Sequence, residues 1–291
     1  MRLLKVWMEK KMSDIKIGVI GQGFVGSAVR EGLQNFYETL TYDVDHARCN
    51  STHEMVCKES DIIFVCIPTP MKRSGECDIR LLESVIEKIQ VECRKVNNNP
   101  TVVIKSTVPP GTTTKIYNKG WLDICFSPEF LTEANSFEDF KNQSRIIIGG
   151  AGAKKVKQMF RKVFPRIPIV VTKSKTAEMV KYFTNCFLAT KVTFANEMYE
   201  ICQSSEIDYD KVCEYALHDT RIGKSHLAVP GPDGDRGFGG HCFPKDLEAM
   251  IYFAEIYDCE PSILKKVLDK NDNIRENRDW EAMKGRAVSE D

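Results

Sequence analysis

One short stretch near the amino end leaves few folds open to this chain. Ile15-Lys16-Ile17-Gly18-Val19-Ile20 is apolar and β-prone, and it runs directly into Gly21-Gln22-Gly23-Phe24-Val25-Gly26. Ala28, Val29 and Leu33 then recur at helical spacing. A strand, G-x-G-x-x-G and a helix in that order make a dinucleotide-binding arrangement. The first glycine makes the tight turn, the second admits a pyrophosphate to the backbone, and the third lets helix pack on strand. The N–H groups of the helix start then face the phosphates. The glycine pattern alone is weak, and an acid about 20 positions on, ending the next strand, strengthens it. Leu40-Thr41-Tyr42-Asp43 supplies that acid. Asp43 is placed to bind the adenosine ribose hydroxyls, and a carboxylate there repels a 2′-phosphate. NAD is therefore expected rather than NADP, a preference that the neighbouring Arg48 tempers.

Beyond Asp43 the alternation continues. Asp61–Ile67 reads as a buried parallel strand stopped by Pro68-Thr69-Pro70, and Leu81–Val96 as an amphipathic helix. Thr101–Lys105 is a strand ending in Ser106-Thr107-Val108-Pro109-Pro110-Gly111. Asp123–Phe126 and Arg145–Gly149 are further strands, and Pro168–Val171 closes the sheet. Strands so uniformly apolar, alternating with helices, imply an α/β fold with a doubly wound parallel sheet. Ligands of such sheets bind beyond the carboxyl ends of the strands, where Thr69, Thr107 and Glu129 fall.

From Ser174 the texture changes. Lys175 to about Ser204 has helical periodicity without Pro or Gly, and Met179, Phe183, Leu188, Val192 and Met198 are among its apolar positions. This reads as a long helix leaving the first domain, of a kind that often pairs with a partner subunit. Shorter helices follow over Asp208–Ala216, Leu247–Tyr257 and Ser262–Arg278, with a glycine- and proline-rich loop at Val229–Gly234. The expected division is a dinucleotide-binding domain over 12–173 and a smaller all-α domain over 174–291. The last dozen residues are polar and expected to fray.

A chain of 291 residues suffices for two modest domains. Lysine plus arginine equals aspartate plus glutamate at 41 each, and no long basic run occurs, so neither nucleic acid nor a membrane surface is an expected partner. No apolar run approaches bilayer-spanning length. The eleven cysteines are scattered, odd in number and without C-x-x-C pairs. That argues against a metal site or a disulfide framework and for a reducing, cytoplasmic setting. Met1–Met12 is too short and too charged for a secretory signal and reads as a dispensable extension.

A second glycine cluster carries the chemistry. Gly237-Phe238-Gly239-Gly240-His241-Cys242-Phe243-Pro244-Lys245-Asp246 sets one cysteine behind three glycines and ahead of a lysine and an aspartate. A thiol is a poor nucleophile until it ionises. A nearby cation such as Lys245 favours the thiolate, and glycines let backbone and substrate approach the sulfur. Asp246 can act on water or on a proton at the same centre. An isolated cysteine is more often a small buried hydrophobe, but these neighbours argue for a task. His241 is rejected as the base, because adjacent side chains on an extended backbone point apart. Lys181 and Asn185, four apart, share a helix face and could hold a water or a developing alkoxide.

The two glycine motifs and the segments between them resemble the UDP-glucose/GDP-mannose dehydrogenase family over about Ile15–Met250, most closely its UDP-glucose members. The family's Ser-Thr-Val-Pro is matched at Ser106–Pro109, and its Pro-Glu-Phe-Leu-x-Glu at Pro128–Glu133. Its Ala-Glu-x-x-Lys-x-x-x-Asn is matched at Ala177, Glu178, Lys181 and Asn185, and its Arg-Ile-Gly at Arg221–Gly223. The resemblance implies a Rossmann-like NAD domain, a helical domain and a homodimer along the long helix. It implies oxidation of a sugar 6-hydroxyl to a carboxylate in two NAD-dependent steps, through a thioester on Cys242. UDP-glucose is the expected substrate, with UDP-N-acetylmannosamine or GDP-mannose as near alternatives. Gly21, Gly23, Phe24, Val25, Gly26, Asp43, Arg48, Thr69, Thr107, Glu133 and Lys245 would face the cofactor. Glu129, Phe130, Leu131, Lys181, Asn185, Phe238 and Gly239 would face the sugar nucleotide.

Arg221 would meet the diphosphate or sugar, within its own chain or across a subunit boundary, or else form a surface ion pair. Thr107 would position the chemistry, and Glu129 or Asp246 would assist the water that releases the acid. Family members usually carry a third, Rossmann-like domain, and this chain stops about where it would begin. An idle NAD-binding module is therefore the competing reading. A two-electron hydroxyacid-type dehydrogenase is disfavoured because it gives the cysteine no task.

Overall fold

A computed structural model describes residues 15–290, so the Met1–Met12 extension lies outside the described residues. The chain divides into two compact units. One comprises the described residues through Thr69 together with Ile79–Lys181, and the other comprises Pro70–Asp78 with the residues from Tyr182 onward.

The first unit is built on seven strands: β1 (Lys16–Ile20), β2 (Glu38–Tyr42), β3 (Ile62–Val65), β4 (Thr101–Ile104), β5 (Ile124–Phe126), β6 (Ile146–Gly150) and β7 (Ile169–Thr172). Their order in the sheet is β2-β1-β3-β4-β5-β6-β7. The first five run parallel, β6 lies antiparallel to β5, and β7 is parallel to β6. An apolar run does not encode its own direction, so the reversal at β6 is a tertiary feature.

Alternation along each strand feeds two cores. Ile62 and Phe64 join Ile17, Val19, Val29, Leu33, Val156 and Phe160 on one face of the sheet. Helices α1 (Phe24–Leu33), α5 (Ser136–Lys141) and α6 (Ala153–Val163) contribute to that layer. Ile63 and Val65 join Val56, Leu82, Ile86 and Ile89 on the other face. There α2 (His53–Glu59), α3 (Arg80–Lys95) and α4 (Thr112–Asn118) contribute. Each such aliphatic or aromatic side chain contributes about 1.5–3 kcal/mol on burial, so strands buried on both faces fix the sheet strongly.

Helix α7 (Ser174–Ser204) runs from the first unit into the second. Ala177 and Val180 pack in the first unit, whereas Cys186 and Ala189 belong to the core of the second with Phe238, Leu247, Ile251 and Val267. Helices α8 (Tyr209–Ala216), α9 (Phe243–Ile256) and α10 (Ser262–Ile274) complete the second unit. Asp208 caps α8 by accepting from the Asp210 and Lys211 N–H groups. Helix α9 starts earlier than its apolar periodicity suggests, because Pro244 sits in the first turn, where no helical acceptor awaits its missing N–H.

The described residues of the stretch expected to fray, up to 290, are ordered instead. A 3-10 turn covers Asp279–Ala282, and Trp280 and Ala287 are buried. The Met71 N–H donates to the Ala287 carbonyl and the Ser289 N–H donates to the Met71 carbonyl, both at 2.8 Å. Met71 also bridges Cys77 across a tight turn in which Gly75 has φ +81°. Polar composition did not disclose these pairings, which join segments far apart in sequence. No helix among the described residues is long and apolar enough to cross a membrane.

Candidate active site

The glycines after β1 have three different environments. A Cβ on Gly21, whose φ is +90°, would run into the Cys66 carbonyl, and one on Gly26 would overlap the carbonyl oxygen of Gly21. Gly23, the N-cap of α1, has nothing within 4 Å of its Cβ position. No side chain caps this helix and no acid occupies its first turn. Crowding at the first and third glycines with open space at the second is what a diphosphate on a helix start requires. Phe24 and Val25, in the first turn, are half-buried.

Asp43 follows β2 directly. Its Oδ2 accepts from the Gln22 N–H at 2.5 Å and its Oδ1 from the Asp45 N–H at 2.9 Å, which braces the carboxylate against the glycine loop. Arg48 is exposed and pairs with Asp45 at 3.0 Å. These residues fit a nicotinamide dinucleotide with unmodified ribose.

The loops past β3, β4 and β5 are stapled to one another. The Thr69 hydroxyl donates to the Thr107 carbonyl at 2.7 Å, and the Ser106 hydroxyl donates to the Ile67 carbonyl at 2.6 Å. Glu178 on α7 is fully buried and accepts from the Gly111 and Thr113 N–H groups at 2.6 and 2.8 Å, closing the start of α4. Burial is the main influence on its carboxyl, which it raises above the ordinary range.

Glu129 lies beyond β5 and is buried. Its Oε1 takes the Lys181 ammonium at 2.8 Å and its Oε2 accepts from the Leu131 N–H at 2.6 Å. Burial pushes this carboxyl up. The Lys181 ammonium, the Leu131 N–H and the Lys105 charge outweigh that and hold it below the ordinary range. Lys105, at the end of β4, is also buried and donates to the Pro128 carbonyl at 3.0 Å. Burial pulls its pKa down to about 8, although Cys66 and Glu129 pull the other way. The Phe130 ring lies under the Arg145 guanidinium at 4.1 Å and has the Lys181 Nζ at 5.7 Å. Glu133 is exposed.

In the second unit, Cys242 is the N-cap residue of α9 and is half-buried. Asp246, one turn on, is buried between two donors. Asn185 Nδ2 lies 2.5 Å from its Oδ2, and Lys245 Nζ lies 2.5 Å from its Oδ1. Burial alone would lower the Lys245 pKa. The Asp246 carboxylate and the Cys77 and Cys242 thiols more than offset it, so the net shift is upward and the side chain stays an ammonium. That ammonium and the start of α9, worth about half a positive charge, both put positive potential at the cysteine end. His241 is buried.

Phe238 is packed in the core of this unit, and its backbone N–H and carbonyl are both engaged by Asn271, at 2.7 and 3.0 Å. Gly239 is backed by Arg275 and Asp279. Arg221 is exposed and forks onto Asp219, with Nε 2.9 Å from Oδ1.

Thus Glu129 meets Lys181 and Thr69 meets Thr107 within the first unit, while Asn185, Lys245 and Asp246 meet beside Cys242 in the second. Lys181 and Asn185 stand one turn apart along α7. Sequence reasoning assigned no role to Lys105, Glu178, Asn271 or Arg275. A lysine closing an apolar strand was a visible signal for the first, and nothing local marked the last two.

Residues 31–167 match the UDP-glucose/GDP-mannose dehydrogenase family, NAD binding domain, and residues 175–273 match that family's central domain. UDP-glucose 6-dehydrogenase of Rickettsia prowazekii (strain Madrid E) is 31% identical over 268 residues, covering 89% of this chain and 59% of the relative. A putative UDP-glucose 6-dehydrogenase of Bacillus subtilis (strain 168) is 31% identical and is covered over 68% of its length. The chain thus spans roughly three-fifths to two-thirds of these relatives. Among solved structures, a UDP-glucose dehydrogenase from the hyperthermophilic archaeon Pyrobaculum islandicum superposes with a TM-score of 0.80 at 29% identity, over 90% of this chain and 69% of that one. With the glycine loop, the Glu129–Lys181 pair and the Cys242 segment, these matches make the chain a member of the UDP-glucose/GDP-mannose dehydrogenase family, with an NAD-binding domain as its first unit.

Proposed function

We propose that this chain oxidises the 6-hydroxyl of UDP-glucose to the carboxylate of UDP-glucuronate, through a thioester on Cys242. The observation that carries this reading is Cys242 at the start of α9, beside an Asn185–Asp246–Lys245 cluster whose hydrogen bonds and charges are matched. A two-electron alcohol dehydrogenase has no use for a nucleophile in that setting.

NAD, when bound, takes up the hydride in each of the two oxidations. Lys181, whose ammonium pairs with Glu129, stabilises the alkoxide formed as the hydroxyl gives its proton to water. The resulting aldehyde carbon carries no hydroxyl. The Cys242 sulfur adds to it, forming a C–S bond as the carbonyl π bond breaks, and the oxygen takes the thiol's proton to give a thiohemiacetal hydroxyl that can be oxidised again. Loss of the hydride and of the hydroxyl proton, the latter to water, leaves the acyl group on sulfur as a thioester. Water then attacks the acyl carbon, the C–S bond breaks, and the sulfur leaves as thiolate. The water's proton passes to Glu129 or Asp246, both carboxylates positioned by cationic partners. Asn185 holds Asp246, one turn along α7 from Lys181.

We also propose that the chain pairs with a second copy along α7, where Phe183, Phe187, Phe194 and Ile201 are exposed. The deciding experiment is NADH formed per UDP-glucose consumed, with the sugar limiting. Two NADH with UDP-glucuronate as product is expected. One NADH would overturn the thioester route. No NADH from UDP-glucose but two from another nucleotide sugar would move the substrate, and none from any would leave the chain an NAD-binding module.

A further inference from the structure

The loop that leads to Cys242 has little to hold itself. Gly237 and Gly240 both have positive φ, +72° and +69°, and Gly237–Gly240 lie outside helix and strand. Its support comes from other parts of the second unit. Asn271 on α10 is fully buried and commits its whole amide to Phe238, accepting from the N–H and donating to the carbonyl. The Gly237 N–H donates to Asn196 Oδ1 at 3.2 Å. The Gly240 N–H is shared by both oxygens of Asp279, each at 3.1 Å.

Arg275 gathers the pieces. Its side chain is 1% exposed, with Nη1 2.8 Å from Asp233 and Nη2 3.4 Å from Asp279 and 3.5 Å from Asp235. Its Nε donates to the Asn277 carbonyl at 2.8 Å. One guanidinium therefore holds three carboxylates that would repel one another without it. The glycines are also demanded from behind. A Cβ on Gly237 would come within 2.5 Å of Asn271 Oδ1, and one on Gly239 would collide with the Arg275 guanidinium and Asp279.

We propose that Asp279 and Arg275 are positioning residues for Cys242, fixing the Gly240 backbone two residues before the cysteine and so the direction of its sulfur at the start of α9. The proposal rests on Cys242 being the nucleophile. Small misplacements of a reacting group cost large factors in rate, so a loosened loop leaves a thiol that is present but poorly presented.

The test is a time course of iodoacetamide labelling of the full chain, read cysteine by cysteine by peptide mass spectrometry. In the parent, Cys242 is expected to label faster than the exposed Cys259. Asp279→Ala should slow Cys242 by about tenfold, leave Cys259 unchanged and keep the buried Cys186 and Cys202 slow. Asp279→Asn, which keeps one acceptor oxygen, should fall between. A Cys242 rate in Asp279→Ala equal to or above the parent's, with Cys186 and Cys202 still protected, overturns the positioning role alone. If rapid labelling of Cys186 and Cys202 shows that Asp279→Ala has unfolded, Asp279→Asn decides by the same comparison. A parent in which Cys242 reacts no faster than Cys259 removes the nucleophile reading itself, and the positioning role with it.

Discussion

Glu129 and Lys181 bring opposite charges to 2.8 Å with side chains only 7% and 4% exposed. Removing one partner of such a pair strands the other charge, at a cost of about 3–5 kcal/mol. Glu129→Gln should therefore destabilise the protein by roughly that amount near neutral pH. The sign of its pH dependence follows from the lowered carboxyl. The contribution is complete above the unfolded value of about 4.3 and fades as pH falls through the lower folded value. Unfolding free energies of parent and variant across pH check this. A gap that already narrows between pH 6 and about 4.3 would show that the carboxyl is not held down.

Cys242 gives a sharper residue-level prediction. Cys242→Ala should stop uronic acid formation while leaving the NAD dissociation constant nearly unchanged, because the glycine loop and Asp43 belong to the other unit. Product chromatography and cofactor fluorescence measure the two separately. Acid formed at near parental rate would remove the thioester. The cysteine and its neighbours were legible in the sequence because the motif is contiguous. Asn271, Arg275 and Asp279 were not, since their partners lie more distant along the chain.

At the scale of the element, α7 presents an exposed apolar stripe. Phe183 and Phe187 are 71% and 61% exposed and stack with ring centroids 6.4 Å apart, and Phe194 and Ile201 continue the stripe. Such a stripe favours a two-fold pairing in which each copy offers the same face, so each side chain counts twice. Phe187→Glu should weaken dimerisation by a factor of about a hundred or more, given about 1.5–3 kcal/mol per buried aromatic and 1.4 kcal/mol per tenfold. Light scattering across a dilution series reads this directly, and a monomeric parent would refute the pairing. The helix itself was foreseen within one residue of its start, because a long run without Pro or Gly has few alternatives. The strand positions were legible for the same reason, an apolar run between turn residues. The reversal of β6 was not, because direction is set by neighbours.

At the scale of the whole molecule, the strand–helix alternation and the change of texture near Ser174 made the α/β plan and the helical part readable. What stayed hidden were particular contacts between residues distant in sequence: the ordering of the stretch after Asp279, the clamp on the glycine loop, and the transfer of Pro70–Asp78 into the second unit. Hydrophobic period reports which face a residue shows, not which remote segment will meet it.

The pairing of Met71 with Ala287 and Ser289 makes the helical unit discontinuous along the gene. A fragment cut at Tyr182 leaves the Ala287 carbonyl and the Ser289 N–H without the Met71 backbone that completes them. Exchange of this unit between relatives therefore has to carry the short hairpin at 70–78 with it. Synthesis from the amino end also delivers Met71 long before its partners exist. During that interval its backbone is an open edge, available to other chains emerging nearby.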